Sequence, residues 1–566
     1  MVDLEPNLVY GTPQTLTVKY SLPGQPARSK SVTRVNAAFA SWFAYAAGDP
    51  DEVAVVIEVP KSYEVTFSQP VQPLTSEGNG RRVYELMGTE DPVAAAVFVS
   101  AADDARLAKH EIEVGPTTVA IKAWPDDAKW KTFSTRTVRR GLPVIEKLTG
   151  VTTPEKRLTI LESSSAYHLG YAGLYVPDER VVEVGDVLNK RVVLHELTHV
   201  WFNKDLFFER WIGEGLAEEM SNRAMAQLGG KARKPRSIRA GPSAVPLNGW
   251  IPGGPLDRER FRSDRYVYNA AFSVINQLTR DIGLNGMRKV IAAASENQIS
   301  YTGDPPPETM DTVQDWRYFY DLLEDVGGAT SAERLFRAHV LTTTEVSALT
   351  ARTAARKQLE EFAVAGDGWT PPLEIRQAMA SWSFLDATQL MGDADDLRER
   401  SHEVIATFEG ADIDLSAALE EAYEGSESLT ALSDVLDEYA KLGGNVVAFR
   451  DRLDAASPLA RLGLIGNDVS FDEVSTALQE GDLEAVPELL AAMNASLQEA
   501  SERGIKMVVG AGLLLLVLAA LWLWRRAKRR RAPVVPVDEG GSPVDTAAPV
   551  ESEIDLTETD PVVSAD

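Results

Sequence analysis

The sequence predicts an α+β protein of several domains that carries one membrane-spanning helix. Three observations indicate this: short alternating apolar segments before residue 125, helical spacing of apolar residues after about residue 370, and eighteen consecutive uncharged residues at 507–524. A chain of 566 residues is also too long for a single hydrophobic core. The predicted parts are a β-sandwich-like domain (1–125), a mixed α+β domain (126–368), a helical bundle or stalk (369–503), a transmembrane helix (505–524) and a basic, then acidic tail (525–566).

The N-terminal domain is predicted from strand-like segments separated by Pro, Gly and Asp turns. These segments are LTVKY (16–20), EVAVVIEVP (52–60), YEVTF (63–67), AAAVFVS (94–100) and TTVAIKAW (117–124). One helix is predicted among them at Val35–Gly48, because Phe39, Trp42 and Phe43 follow helical spacing. The same stretch resembles a signal sequence but begins far from the N-terminus, so we interpret it as an amphipathic helix.

The next domain is predicted to mix both kinds of element. A helix (TVRRGLPVIEKL, perturbed by Gly141 and Pro143) leads to strands RLTILES and GLYV and then to mostly helical sequence. Residues 230–263 form a loop rich in Gly, Pro and basic residues. This loop either borders a cleft and selects acidic or extended substrates, or is a solvated insertion. From about 370 to 503 nearly the whole sequence has helical character.

The eighteen uncharged residues meet the lower length limit of a membrane-spanning helix. Ile505 extends the segment past Lys506, whose long side chain can reach the interface. Trp522 and Trp524 lie where an interfacial aromatic belt would place them, and six basic residues follow at 525–531. The sequence therefore predicts a lipid-bilayer contact through residues 505–524.

The basic flank also predicts the orientation, because positive residues stay on the cytoplasmic side. The C-terminus is then cytoplasmic and the large N-terminal part extracellular, on a single-pass protein of the cell membrane. Such a part needs an export signal, and residues 1–20 contain none, so we expect the signal peptide to be missing from this sequence. A cytosolic, tail-anchored protein is the alternative. Residues 532–566, with nine acidic and no basic side chains, predict a disordered tail.

Composition excludes several classes of site. The chain has no cysteine, which excludes disulfides, thiolate metal sites, iron–sulfur clusters and a cysteine nucleophile. Its 84 acidic and 57 basic residues give a net charge of −27, which argues against nonspecific nucleic-acid binding. A bound metal would have to be held by histidine and carboxylate side chains.

One segment carries the chemistry, VVLHELTHVWF at 192–202. His195 and His199 are four residues apart, so on a helix they share one face and can ligate one metal ion. Glu196 lies at the edge of that face, where it can act on a metal-activated water. By chance, His-Glu-x-x-His is expected only on the order of 0.005 times in a chain of this composition.

A third protein ligand is predicted fifteen residues after His199, at Glu214 in WIGEGLAEE. Glu218 and Glu219 compete for this role. Two His and one Glu with an open fourth position form a catalytic site for one Zn²⁺ ion. Asn203 and Glu218 are candidate hydrogen-bond partners of the ligands, and His168 a candidate substrate contact, against plain solvated roles for all three.

HELTHVWFN followed by WIGEGLAEE resembles the gluzincin metallopeptidases, a peptidase MA-like group, and is distantly similar to the aminopeptidase N-like family. The resemblance implies a gluzincin, thermolysin-like α+β catalytic domain. YNAAFSVINQLTRDIG (268–283) resembles that family's Tyr-containing helix, which implies that Tyr268 stabilises the oxyanion, with Tyr266 as the competing assignment. Two features depart from the aminopeptidases: fourteen residues separate His199 from Glu214, fewer than in that family, and GYAGLYVPDE (170–179) lacks their amine-binding Glu.

The sequence thus predicts a membrane-anchored zinc metallopeptidase, of bacterial character, acting on peptide or protein substrates outside the cell. Zinc would polarise the scissile carbonyl, and Glu196 would move the proton from the attacking water to the leaving amine. The alternative is a non-catalytic peptide-binding or scaffolding membrane protein with a degenerate peptidase fold. Endo- or exo-cleavage and oligomeric state are left open.

Overall fold

The computed structural model describes most of the chain in two compact units, Met1–Gly443 and Gly444–Asp566. The described residues are 11, 15, 17–26, 28–48, 52–68, 72–74, 80–87, 94–164, 171–239, 241, 244–250, 258–301, 308–311, 314–366, 368–465 and 470–529. His168 and the tail from 530 lie outside them. The predicted α+β character is confirmed: a β-rich N-terminal region leads to a mixed region and then to a helical C-terminal part.

The β-rich region contains two antiparallel sheets that share a core. The strands are β1 Arg34–Val35, β2 Phe39–Ala47, β3 Ala54–Pro60, β4 Glu64–Phe67, β5 Gln72–Leu74, β6 Arg81–Met87 and β7 Ala94–Ala102. One sheet has the order β1-β2-β7-β4 and the other β3-β6-β5. Ile57 and Val59 of β3 are buried against Val97 and Val99 of β7. The two sheets therefore cover each other's apolar faces.

The helix predicted at Val35–Gly48 is wrong, because Phe39–Ala47 forms strand β2. β2 pairs with β7 along its whole length. Trp42, Ala44 and Ala46 pack towards the three-stranded sheet, so the period that decides the structure is two. Residues 17–20 of the strand predicted at 16–20 are irregular as well. Aromatic and alanine side chains satisfied both patterns, and pairing with β7 selected the strand.

A five-stranded sheet supports the next part of the chain. Its strands are β8 Ala108–Val114, β9 Thr117–Ala123, β10 Arg157–Glu162, β11 Gly173–Val176 and β12 Val181–Val184, in the order β11-β12-β10-β9-β8. β9, β10 and β12 are parallel, whereas β8 and β11 run antiparallel at the two edges. The sheet takes β8 and β9 from before residue 125 and the other strands from after it, so it crosses the predicted domain boundary.

Helices cover this sheet and hold the functional residues. They are α1 Ala128–Thr149, α2 Lys190–Thr198, α3 Arg210–Gln227, α4 Arg258–Ser295, α5 Trp316–Asp325 and α6 Ala332–Leu335. The Asp127 side chain caps α1 by accepting a hydrogen bond from the Trp130 amide, and α1 continues through Pro143. A Cβ at Gly141 would lie 2.5 Å from Leu194 Cδ2 of α2, so the missing side chain lets the two helices approach closely.

The C-terminal part is helical, as predicted. The helices are α7 Thr343–Ala365, α8 Leu373–Ala380, α9 Phe384–Glu409, α10 Ser416–Glu424, α11 Leu429–Asp454, α12 Pro458–Gly463, α13 Phe471–Gln479 and α14 Ala485–Arg529. α12 packs backbone to backbone on α14: a Cβ at Gly504 would lie 1.8 Å from the Leu459 carbonyl oxygen. Among the described residues, α14 is the helix long and apolar enough to cross a membrane, with Leu515 and Trp524 exposed on it.

Candidate metal centre

The first part of the centre is α2, which the Asn189 side chain caps by accepting a hydrogen bond from the Arg191 amide. Val193, Leu194 and Leu197 of this helix are fully buried in the core between sheet and helices. Their burial fixes the rotation of α2 about its axis. The remaining face carries His195 and, at the end of the helix, His199.

The second part is α3, which brings Glu214 to the histidine pair. Trp211, Ile212 and Leu216 are buried on α3 and anchor it in the same core. Glu214 is itself only 7% exposed. The helical segment predicted around this residue is therefore present, and it packs against α2 so that Glu214 faces both imidazoles.

Three atoms form the centre, His195 Nε2, His199 Nε2 and Glu214 Oε2. The two nitrogens are 3.3 Å apart, and the carboxylate oxygen lies 3.2 Å from His195 Nε2 and 3.4 Å from His199 Nε2. A tetrahedral zinc site with bonds of about 2.0–2.2 Å requires ligand atoms roughly 3.3–3.6 Å apart. The residues therefore fit one zinc ion in both chemistry and spacing.

The second nitrogen of each imidazole faces an oxygen atom. His199 Nδ1 lies 2.8 Å from the Phe202 carbonyl, and His195 Nδ1 lies 3.3 Å from Glu218 Oε2. The Phe202 carbonyl orients the His199 imidazole and favours the tautomer whose Nε2 is free for metal, whereas the Glu218 carboxylate is a charge neighbour of His195 Nδ1 without hydrogen-bond geometry. Glu218 thus lies where the sequence suggested it as a partner of the ligands. The Phe202 carbonyl had no sequence signal, because every residue has one.

The other carboxylate and amide candidates have different surroundings. Glu219 accepts hydrogen bonds from Arg223 at 2.6 Å and from Asn276 at 2.9 Å, outside the ligand triangle. Asn203 donates to the His199 carbonyl at 3.1 Å, so it caps the end of α2 rather than touching a ligand side chain. Glu214 is therefore the carboxylate that shares the centre with both histidines.

Glu196 lies beside the ligand triangle and is buried against strand β11. A Cβ at Gly173 would be 2.6 Å from Glu196 Cγ and 2.9 Å from its Oε1. Only glycine therefore lets β11 approach this close. Burial raises the pKa of Glu196, while His195 and His199 lower it. A carboxylate with a raised pKa beside a metal site has the properties of a general base.

Charge partners determine the ionisation of the other buried groups. Burial lowers the pKa of His195, but its contacts with Glu214 and Glu218 outweigh burial and hold that pKa well above its ordinary value. Burial raises the pKa of Glu214, and the two imidazoles reverse this effect, so the pKa is held well below its usual range. Glu214 is thereby a carboxylate, the form that ligates metal.

Tyr268 of α4 reaches the same centre. Its hydroxyl lies 3.4 Å from Glu214 Oε1 and accepts a hydrogen bond from Arg210 Nη2 at 3.0 Å. Tyr266, the competing assignment, is partly buried against the hydrophobic core. The structure therefore places Tyr268, the residue predicted from the sequence, beside Glu214.

The sequence reasoning missed Arg210 and its neighbours. Arg210 lies one turn before Glu214 on α3 and donates from Nε to Glu214 Oε1 at 3.1 Å. Its guanidinium carbon lies 5.3 Å from the Tyr171 ring centroid and 5.1 Å from that of Trp250. The spacing Arg-x-x-x-Glu was a visible signal, but the two aromatic contacts depend on distant segments.

No family model matches the sequence, and no curated protein matches it. Similar solved structures include the M1 zinc metallopeptidase from Deinococcus radiodurans, at 17% identity over 50% of this chain and 62% of that one, with a TM-score of 0.28. A mutant of that enzyme bound to a Tyr-Ser-Ala substrate has 16% identity over 56% and 73%, with a TM-score of 0.27. These structures belong to the aminopeptidase N-like family that the motifs resemble. Sequence identities and TM-scores this low do not indicate an activity for this chain. A proposal about activity therefore rests on the side chains of the centre.

Proposed function

We propose that this protein is a membrane-anchored zinc metallopeptidase. The observation that carries the proposal is the triangle of His195, His199 and Glu214, with the Glu196 carboxylate buried beside it. Three protein ligands and an open fourth position characterise catalytic zinc sites. Zinc bound there would supply Lewis acidity and a water of lowered pKa.

The protein residues then have distinct roles in peptide-bond hydrolysis. Glu196 accepts the proton of the attacking water and returns it to the leaving amine. The Tyr268 hydroxyl donates a hydrogen bond to the oxyanion of the tetrahedral intermediate. The Phe202 carbonyl holds the imidazole of His199 in place, and the Glu218 carboxylate lies beside that of His195.

The edge position of β11 supports a peptide as the substrate. β11 pairs with β12 on one side and is the last strand of its sheet within the described residues, so we propose that its other edge pairs with an extended peptide. Because Gly173 of β11 touches Glu196, a peptide added along this edge would run past the general base. Residues 171–176 contain no carboxylate that would bind the free amine of a peptide, which is the group that the aminopeptidases bind with a Glu in this region.

The membrane part of the proposal rests on α14. Its apolar half exposes long aliphatic side chains, among them Leu515 at 66% and Leu516 at 68%. Arg525 and Arg526 follow immediately and indicate the cytoplasmic side. We therefore propose that residues 505–524 cross the cell membrane and that the metal centre lies outside the cell.

The deciding experiment compares wild type, Glu196→Gln and Glu219→Gln as full chains in detergent. Glu219 is a matched control, because it is a buried carboxylate on the neighbouring helix outside the ligand triangle. We expect Glu196→Gln to keep one zinc per chain and to cleave a peptide library about 10²–10⁴-fold more slowly. Glu219→Gln should keep both zinc and cleavage.

Two results would contradict the proposal. Equal cleavage by wild type and Glu196→Gln, with zinc bound, would exclude Glu196 as the base. If the wild-type protein neither binds zinc nor cleaves the library, the result would favour a peptide-binding scaffold with a degenerate site.

A further inference from the structure

Arg210 joins four separate parts of the metal centre. It begins α3, and its guanidinium makes cation–π contacts with the rings of Tyr171, just before β11, and Trp250, after the loop that follows α3. Trp250 also contacts the Tyr268 ring, at a centroid distance of 5.4 Å. These two contacts restrict the positions open to the guanidinium.

Three of its N–H groups have defined partners. Nε donates to Glu214 Oε1 at 3.1 Å, Nη2 donates to the Tyr268 hydroxyl at 3.0 Å, and Nη1 lies 3.4 Å from the Tyr171 hydroxyl. The other oxygen of Glu214, Oε2, is the one that faces both imidazoles. Arg210 thus holds one oxygen of the ligand carboxylate and leaves the second for the metal.

We propose that Arg210 is a positioning residue that presents Glu214 to zinc through a single oxygen and fixes the Tyr268 hydroxyl beside it. The inference rests on the proposed function, because it assigns a role within that same centre. A rigid planar fork can hold three partners at once, whereas a lysine ammonium acts as a point charge. The guanidinium should therefore be irreplaceable by lysine.

A second arginine on α3 shows that the ion pair alone does not define this role. Arg223 and Glu219 form a pair of the same kind, with Nε 2.6 Å from Oε1 and an arginine side chain 33% exposed, against 32% for Arg210. Glu219, however, is bonded to Asn276 rather than to the imidazoles. Arg223 is therefore a matched control within the same helix.

The experiment uses the full chain with Arg210→Met, Arg210→Lys and Arg223→Met. Zinc affinity is measured by competition with a chromophoric chelator, and kcat and KM are measured at saturating zinc. We expect Arg210→Met to weaken zinc binding about 10–100-fold, the usual effect of losing a group that orients a ligand. The kcat should fall by a similar factor, with KM changed less than about threefold.

Arg210→Lys should resemble Arg210→Met, because one ammonium cannot replace three fixed donors. Arg223→Met should keep zinc affinity and kcat within about twofold of wild type. Tyr171→Phe, which keeps the ring and removes one acceptor, provides a milder variant should Arg210→Met fail to fold by circular dichroism. It should shift kcat in the same direction and leave KM unchanged.

Three outcomes would overturn the proposal. Unchanged zinc affinity and kcat in Arg210→Met would show that Glu214 and Tyr268 need no such support. A rise in KM alone would make Arg210 a substrate-binding group. Equal losses in Arg223→Met would reduce the effect to helix stability. If the wild-type protein cleaves no peptide, the proposed function fails, while the zinc-affinity comparison still tests Arg210.

Discussion

Charged residues usually lie at the surface of a protein and large apolar residues in its interior. The metal centre departs from this distribution by burying charge, and the apolar half of α14 departs from it by exposing apolar side chains. The centre buries Glu196 and Glu214, each 7% exposed, whereas α14 exposes Leu515 and Leu516 to two-thirds of their surface. Buried carboxylates are costly unless they are paired, and a long row of exposed aliphatic side chains is costly in water. Each region thus agrees with the proposed partner, a cation in the first and hydrocarbon in the second.

Among the changes considered for the two regions, replacement of one imidazole of the metal centre should have the largest effect. His199→Ala removes a proposed ligand and a partner that holds Glu214 ionised. We expect zinc content to be lost and peptide cleavage to fall on the order of 10³-fold or more. His110→Ala, at an exposed position near the start of β8, is the control and should match wild type. Metal analysis and cleavage rates check this, and cleavage retained without His199 would remove it from the ligand set.

A charge in the exposed apolar row tests the other region. Leu515→Arg should raise the free energy of membrane insertion by about 3–4 kcal/mol, since a favourable leucine is replaced by an unfavourable arginine. Leu385→Arg places the same residue at another exposed leucine, 74% accessible on α9, and should cost almost nothing. Alkaline extraction of membranes from cells expressing each variant provides the measurement. Identical partitioning of the two variants would show that α14 lies outside the bilayer.

A methyl group at the floor of the centre tests how exact its packing is. Gly173→Ala would place Cβ 2.6 Å from Glu196 Cγ, so the carboxylate must move. A displaced base should lower kcat about 10–100-fold and leave zinc bound. Gly392→Ala, where the added atom meets open space on α9, should leave kcat unchanged. Steady-state kinetics would contradict the close contact if both variants behaved like wild type.

Glu162 extends the comparison to a buried carboxyl without imidazole partners. It ends β10, is 1% exposed and accepts a hydrogen bond from the Trp124 amide at 2.9 Å. Burial raises its pKa to about 10. The folded protein then holds a proton that the unfolded chain releases above the ordinary value, so stability falls as pH rises through that window, by up to about 1.4 kcal/mol per pH unit.

Glu162→Gln should remove this slope, because the amide cannot ionise. Urea-unfolding midpoints at several pH values measure it, and the two proteins should differ most at alkaline pH. An equally steep decline in Glu162→Gln would assign the slope to other groups. This effect concerns stability alone, since the substitution leaves the metal centre untouched.

The sequence could predict that His195 and His199 lie together because helical geometry relates residues four apart directly. His195, Glu196 and His199 need one helix, and the apolar residues around them predict which face is buried. The prediction of Glu214 also required a second helix packed against the first. Its signal in the sequence was its position after Trp211. The structure brings these four residues together.

Arg210 and Glu162 could not be predicted in this way. An arginine four residues before a glutamate is an ordinary helix pair, and its other partners, Tyr171 and Tyr268, are 39 and 58 residues away. The burial of Glu162 depends on the packing of neighbouring strands and loops. The helix prediction for Val35–Gly48 was wrong for a related reason. The apolar residues fit both a helical and a strand period, and only the pairing with β7 decides between them.

The continuity of α14 gives the C-terminal unit a mechanical property. The helix runs from Ala485 to Arg529, roughly 67 Å at about 1.5 Å per residue, and Gly504 touches α12 just before the apolar half begins. Because α14 is one continuous helix, a change in the direction of one half changes the direction of the other half. Any tilt imposed on the apolar half is therefore imposed equally on the half that carries α12.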